Sequence, residues 1–401
     1  MPADRALTIL CITTYEKGQE FMRECKRQGW RVLLLTAEKL RNADWPRESL
    51  DDTFYLPEDI ALADIVKAVT HLARTQKLDR IVALDEFDME TAATLREHLR
   101  IPGMGLTTMR YFRDKLAMRM RALDRNVRVP DFVPVVNHDD IRYYLEHVAG
   151  PWVLKPRQEA SAIGIRKIHA PNELWPILDQ LGDKQSSFLL ERFVPGEVYH
   201  VDSVVSEHEV VFANVSKYGK PPMNVAQGGG VFTSFTGERG SEADLKLRAI
   251  NRDLIAALGL VRGVSHAEFI QAQADGELYF LECAARVGGA YINEMVEAAT
   301  GINLWREWAR IEVAGGNGRY QLPAAREDYA GVILSLARQA DPDTSAYNDP
   351  EVYLRIKKHH HAGLVLKSTD PRRIRPLLEN YARRFAEEFT AVEPQKEKPT
   401  A

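Results

Sequence analysis

Short, unbroken apolar runs dominate the first hundred residues. LTILCIT at 7–13 and RVLLLTA at 31–37 are too short for buried helices and rich in leucine and β-branched residues, so each predicts a strand. A helix-like stretch to Gly29 separates them, Leu62–Leu72 carries a second helical pattern, and DRIVALDEFDMETAATLREHL reads as strand, acidic turn and helix. Strands that alternate with helices build parallel sheets, so residues 1–110 predict one α/β unit. Ligands bind such sheets at the carboxyl ends of the strands, which makes residues 13–17 and 85–88 cleft positions. For Asp85 and Glu86 the plainer reading is a solvated helix N-terminus.

After residue 110 the pattern turns to α+β. A basic helix is expected from Arg113 to Asn126, carrying Lys115, and Pro130 breaks it before the strand-like DFVPVV. PWVLKP predicts a strand ended by Lys155, a costly place for an ammonium group unless an anion meets it. EASAIGIRKI sets small residues, Ser161 among them, around Gly164, and SFLLERFVPGEVYHVDSVV predicts two strands joined at Val194-Pro195-Gly196. Residues 326–390 read as a smaller appended α+β unit, with strands GVILSLA and AGLVLKS and a helix from Pro371 to Phe389 opened by Thr369-Asp370-Pro371. The tail, 391–401, is expected to be disordered. Adjacent strand residues point to opposite faces, so His359, His360 and His361 make a poor metal site and are assigned structural or solvated roles.

Composition then removes several function classes. The 401 residues suffice for two or three domains, and the 53 basic and 57 acidic side chains, net charge −4, are interspersed, so no arm for nucleic acid stands out. Three scattered cysteines lack metal-ligand spacing and argue against a disulfide framework, which fits a cytoplasmic protein. No apolar run approaches the roughly 18 residues of a membrane span, and the N-terminal run is short for a signal peptide. The first turn lacks G-x-G-x-x-G, and G-x-x-x-x-G-K-[ST] is absent throughout, which weakens dinucleotide and P-loop readings.

The most informative stretch is HAEFIQAQADGELYFLECAARVGG, two alternating runs joined at Ala274-Asp275-Gly276. With a three-residue hairpin loop and Gly276 in the left-handed position, residue 273 pairs with 277 and Glu268 falls directly across from Glu282. Their Cβ atoms would then lie about 4.5–5.5 Å apart. Like charges so placed in apolar surroundings call for a cation, and magnesium commonly takes one or two carboxylates plus substrate phosphates. Arg286, four residues beyond Glu282, can reach the same phosphate, and Gly288-Gly289 lets backbone approach a ligand.

These residues resemble the ATP-grasp superfamily. The resemblance runs in the family's order through RDK at 113–115, VLKP at 153–156, LLERFVPGE at 189–197, the hairpin glutamates, and Glu282-Cys283-Ala284-Ala285-Arg286. It implies an ATP-grasp fold with a Rossmann-like domain at 1–110, a small subdomain at 111–190, a large subdomain with the metal site at 191–325, and the C-terminal unit. It also implies that Lys115 and Lys155 contact the nucleotide's phosphates, that Glu191 and the Val194 backbone read adenine, that Glu197 holds the ribose, and that Ser161 and Gly164 belong to a loop closing over the triphosphate. Glu268 and Glu282 would hold magnesium, with manganese as a substitute, and Arg286 and Lys217 would act on the reacting groups. Ala284 stands where many members carry a second metal-binding asparagine, which leaves one or two ions open. The form ECAARVGGAYI is similar to the bacterial L-amino acid ligase branch.

The activity so implied joins a small carboxylate to an amine through an acyl-phosphate, with an amino acid as at least one substrate and ADP and phosphate released. A homodimer is compatible with it. His200 and His266 are candidate proton-transfer groups, though strand histidines are more often structural. The alternatives are an ATP-dependent carboxylase that activates bicarbonate and a nucleotide-binding protein without catalysis.

Overall fold

A computed structural model describes residues 5–159, 163–223, 225, 229–315 and 320–391. Ser161, Gly228 and residues 392–401 of the tail lie outside these. The first apolar runs form strands β1 (Thr8–Thr13) and β2 (Arg31–Ala37), flanked by β3 (Asp52–Leu56) and β4 (Arg80–Ala83) in a parallel sheet of order β3-β2-β1-β4. All six residues of β1 are buried, as a strand covered on both faces requires. The expected helix at Leu62–Leu72 is present with those bounds.

The next sheet is small and antiparallel, with order β5-β8-β6-β7: β5 (Phe132–Pro134), β6 (Trp152–Pro156), β7 (Arg166–Ile168) and β8 (Phe188–Arg192). Val133, Leu154 and Leu190 pack there against Ile141 and Leu174, which come from the helices His138–His147 and Pro171–Leu181. The basic helix is shorter than expected, Lys115–Leu123, because Asp114 caps it by accepting from the amides of Leu116 and Ala117 at 3.0 and 3.4 Å.

An eight-stranded sheet completes the molecule. It comprises β9 (Gly196–Ser206), β10 (Glu209–Tyr218), β11 (Phe232–Thr236), β12 (Gly263–Ala272), β13 (Leu278–Ala284), β14 (Tyr329–Leu336), β15 (Val352–Lys358) and β16 (His361–Ser368). Its order is β13-β12-β9-β10-β11-β14-β16-β15. Two expected boundaries change. Residues 326–390 have their own apolar core under the helix Pro371–Glu388, yet β14 pairs with β11, so their strands extend the large sheet instead of forming a separate unit. The 190/191 boundary cuts β8. The two strands around Val194-Pro195-Gly196 belong to different sheets, which makes residues 193–195 the crossover between them. Edge strand β15 escaped notice because VYLRIKK alternates weakly and is half polar.

Candidate active site

The hairpin that motivates the site forms by a different route. Four residues, 273–276, make its loop, since the Ala272 amide bonds the Glu277 carbonyl at 2.9 Å. Gly276 does take a left-handed conformation, φ 72°. That loop alone would put Glu268 out of step with Glu282, but β13 carries a bulge between Phe280 and Glu282 that restores the pairing of Glu268 with Glu282. The bulge also changes the faces. Phe280 joins Phe269 in the core, while Tyr279 and Leu281 pack beside Ile270.

Between the small sheet and the large one lies a cavity of about 600 Å³. One end is apolar, with Val153, Ile163, Ile165, Val194, Val198, Ile270 and Leu281; the other presents Lys115, Glu268, Glu282 and Arg286. Glu282 is 37% exposed, and its Oε2 lies 2.8 Å from the Lys115 ammonium, which also donates to the Glu159 carbonyl at 2.6 Å. The Asp114 cap and the Lys115 amide, bonded to the Arg157 carbonyl at 2.8 Å, fix where that lysine starts its helix.

Lys155 meets its anion as expected, and the anion is Glu191. Burial, partly offset by Glu191, pulls the Lys155 ammonium down to about 8. Glu191 is buried as well, which by itself favours the neutral acid. Arg119 and Lys155 nevertheless hold it below the ordinary carboxylate range, with Arg119 Nε 3.1 Å from Oε2. Glu191 therefore first serves to hold two cations. Gly164 has φ 71° and packs against Pro156 at the cavity wall, so closely that a Cβ there would lie 2.8 Å from Pro156 Cγ.

Two expected roles are not supported by where the side chains sit. Tyr218 faces the cavity, so its neighbour Lys217 points to the other side of β10. There Lys217 pairs with Glu197 at 2.6 Å and sits 5.5 Å from the centre of the Tyr199 ring. Lys217 is accordingly withdrawn as a catalytic contact, and Glu197, on the same far face, is not turned toward a ribose in the cavity.

Glu86 also differs from expectation. It is a buried counterion, not a solvated turn residue. It accepts from Arg286 Nε at 2.8 Å and from Arg113 at 3.1 Å. Burial alone would raise its carboxyl, but Arg286 and Arg113 bring it down to about 2. The Arg286 guanidinium is raised in turn by Glu86, against the effect of burial. The strand-end turns converge as the parallel sheet predicts, with Lys17 paired to Asp85 and the Thr14 amide donating to Asp88 at 2.8 Å. His359 and His361 are solvated or bonded locally, as expected.

A chain of buried polar groups runs beneath Glu268 and was largely missed. Tyr218 donates to Glu268 Oε1 at 2.7 Å and lies 3.2 Å from His266 Nε2; His266 Nδ1 is 2.8 Å from Asp202, and His200 is 2.7 Å from both Asp202 and Ser234. Burial would keep His266 neutral, yet Asp202 and Glu268 raise it to about 10. Both ring nitrogens then donate, which fits Tyr218 accepting from His266 while donating to Glu268. The signal was His200 and Asp202 two residues apart in a valine-rich strand, a spacing that puts both on one buried face. Gly288 closes this network. A Cβ there would lie 2.9 Å from His266 Nδ1 and 3.2 Å from Asp202 Oδ1.

The donor set is of the kind a hard divalent ion takes. Glu268 and Glu282 present carboxylate oxygens from adjacent strands, Lys115 already marks a cation position beside Glu282, and Ala284 supplies no further oxygen.

Residues 148–294 match the ATP-grasp domain model. The chain is 26% identical over 272 residues to the L-arginine-specific L-amino acid ligase of Bacillus subtilis, a match covering 65% of this chain and 64% of that relative. Among solved structures, the L-amino acid ligase from Bacillus licheniformis superposes with a TM-score of 0.78 at 18% identity, covering 98% of this chain and 100% of that one. N5-carboxyaminoimidazole synthetase from Staphylococcus aureus, complexed with ADP, gives 0.71 at 15% identity, covering 94% and 96%. These likenesses fix the fold.

Proposed function

We propose that this chain, whose residues 148–294 match the ATP-grasp domain model, works as an ATP-dependent carboxylate-amine ligase with an amino acid as at least one substrate. The observation that carries the proposal is the cross-strand pair Glu268 and Glu282, set opposite Lys115 and Arg286 at the charged end of a cavity whose other end is apolar. The apolar end accommodates a purine ring, and the charged end a triphosphate.

In the reaction, a substrate carboxylate oxygen attacks the γ-phosphorus, the bond to the bridging oxygen breaks, and ADP departs. An amine nitrogen then attacks the acyl carbon, loses a proton and expels phosphate, which leaves an amide. Lys115, Lys155 and Arg286 offset the charge that moves between phosphate oxygens, and Glu191 and Glu86 hold two of those cations in place before substrate arrives. Magnesium, or manganese in its place, held by Glu268 and Glu282 would neutralise phosphate oxygens. No side-chain nucleophile is needed. Positioning and charge neutralisation supply the rate.

The L-arginine-specific L-amino acid ligase of Bacillus subtilis, of whose length this chain matches 64%, supports an amino-acid substrate. The test is ADP release with a matrix of amino-acid pairs, run beside bicarbonate plus amines. The proposal expects ADP only when both an acid and an amine are present, with the amide detected by mass spectrometry. Glu282→Ala should abolish it while the fold is retained. ADP release driven by bicarbonate, or by the Glu282 variant at the wild-type rate, would overturn the assignment.

A further inference from the structure

A second cavity, of about 200 Å³, lies between the first sheet and the outer end of the large one. It shares no lining residue with the reaction cleft, although Ala285 in its wall is bonded to Arg286 in the other. We propose that this cavity is a separate binding site for a free apolar α-amino acid, whose carboxylate meets Arg96 and whose ammonium meets Glu312.

The two charged groups carry the inference. Arg96 is held by backbone alone, with Nε donating to the Ile81 carbonyl at 2.7 Å and Nη1 to the Met104 carbonyl at 2.9 Å. Among the described residues it makes no ion pair, and Nη2 has no hydrogen bond. Gly103, φ 147°, makes room for it, since a Cβ there would fall 2.7 Å from Arg96 Cδ. Glu312 is loosely held among the described residues. Its cationic neighbour, Arg80 Nε, stands 3.9 Å away, and the Trp308 indole donates to it at 3.3 Å. Both groups are partly exposed where they line the cavity, the Glu312 side chain at 14%, so a ligand entering it meets a free face of each without first breaking a close ion pair between them.

A zwitterion satisfies both at once. A simple anion would meet Glu312, and a simple cation would meet Arg96. Met89, Met104 and Trp308 supply a soft apolar wall for the side chain. The volume is below the roughly 300–1,000 Å³ of pockets for drug-sized ligands, which excludes a nucleotide and suits a single amino acid.

Trp308 lines the cavity and offers the readout. Titrating L-leucine into the ATP-free protein should give a saturable change in tryptophan fluorescence that is absent in Trp308→Phe. Isoamylamine and 4-methylpentanoate, each lacking one charge, should give none. Glu312→Gln, nearly isosteric, and Arg96→Met should each weaken binding by at least about tenfold, whereas Glu282→Gln, at a half-exposed residue of the reaction cleft, should leave it unchanged. Should Arg96→Met unfold, Glu312→Gln decides. No saturable signal with the wild type, equal binding by Glu312→Gln, or loss on Glu282→Gln would overturn the proposal.

Discussion

Replacing Glu86 by glutamine tests whether the turn after β4 positions the reaction cleft. The wild-type carboxylate sits between Arg286, which follows β13, and Arg113, which precedes the Lys115 helix, so three separate parts of the chain meet at one charge. Lowering a carboxylate from 4.5 to about 2 corresponds to about 3 kcal/mol of stability at neutral pH. Removing one partner of a buried pair typically costs about 3–5 kcal/mol, which agrees. The sign follows from the direction. A depressed carboxyl contributes its stability in full above 4.5, and that contribution is lost as the pH falls toward 2. Urea unfolding of the wild type and Glu86→Gln at a series of pH values should therefore show a gap of about 3 kcal/mol at pH 7 that narrows below pH 4.5. Turnover should fall as well, because Arg286 loses the group that aims it. A variant with wild-type stability across that range and full turnover would refute the reasoning.

Three further perturbations probe the surroundings. Tyr218→Phe deletes the hydroxyl that joins His266 to Glu268 and should cost roughly 1–3 kcal/mol; it should also raise the magnesium concentration needed for half-maximal activity, with little change in the KM for ATP. Asp88, raised to about 7 mainly by burial and further by Asp85, opposes folding increasingly between about pH 4 and 7, by at most about 4 kcal/mol. Asp88→Asn should therefore stabilise the protein at pH 8 more than at pH 5, as read from unfolding midpoints; equal effects would contradict the assignment. Gly288→Ala forces a methyl against His266 and Asp202 and should lower both stability and turnover by more than a surface alanine substitution does.

Much of the architecture could be read from period alone. The unbroken runs at β1 and β2 mark a doubly covered sheet, and Asp370 caps its helix by bonding the Arg372 amide. The carboxylate pair falls where a three-residue loop would put it only because two departures cancel: the loop is one residue longer, and the bulge restores the register. What stayed hidden depends on contacts between distant residues. Nothing near Glu86 announces a partner 200 residues away, and nothing near Tyr218 announces His266. Lys217 was misplaced for the opposite reason. It is next to a residue that does face the cleft, and one step along a strand reverses the side chain. That the strands of residues 326–390 extend the large sheet stayed hidden, because pairing between β11 and β14 leaves no local mark.

Activation of the carboxylate by phosphoryl transfer precedes attack by the amine in the proposed reaction. It is tested most directly by supplying the acid substrate, identified from the amino-acid matrix, with both carboxylate oxygens as oxygen-18 and analysing the phosphate released during amide formation. An acyl-phosphate requires that one of the two labelled oxygens leave with phosphate in each turnover, so singly labelled phosphate should appear in step with product. Unlabelled phosphate, with the amide formed at the normal rate, would contradict it.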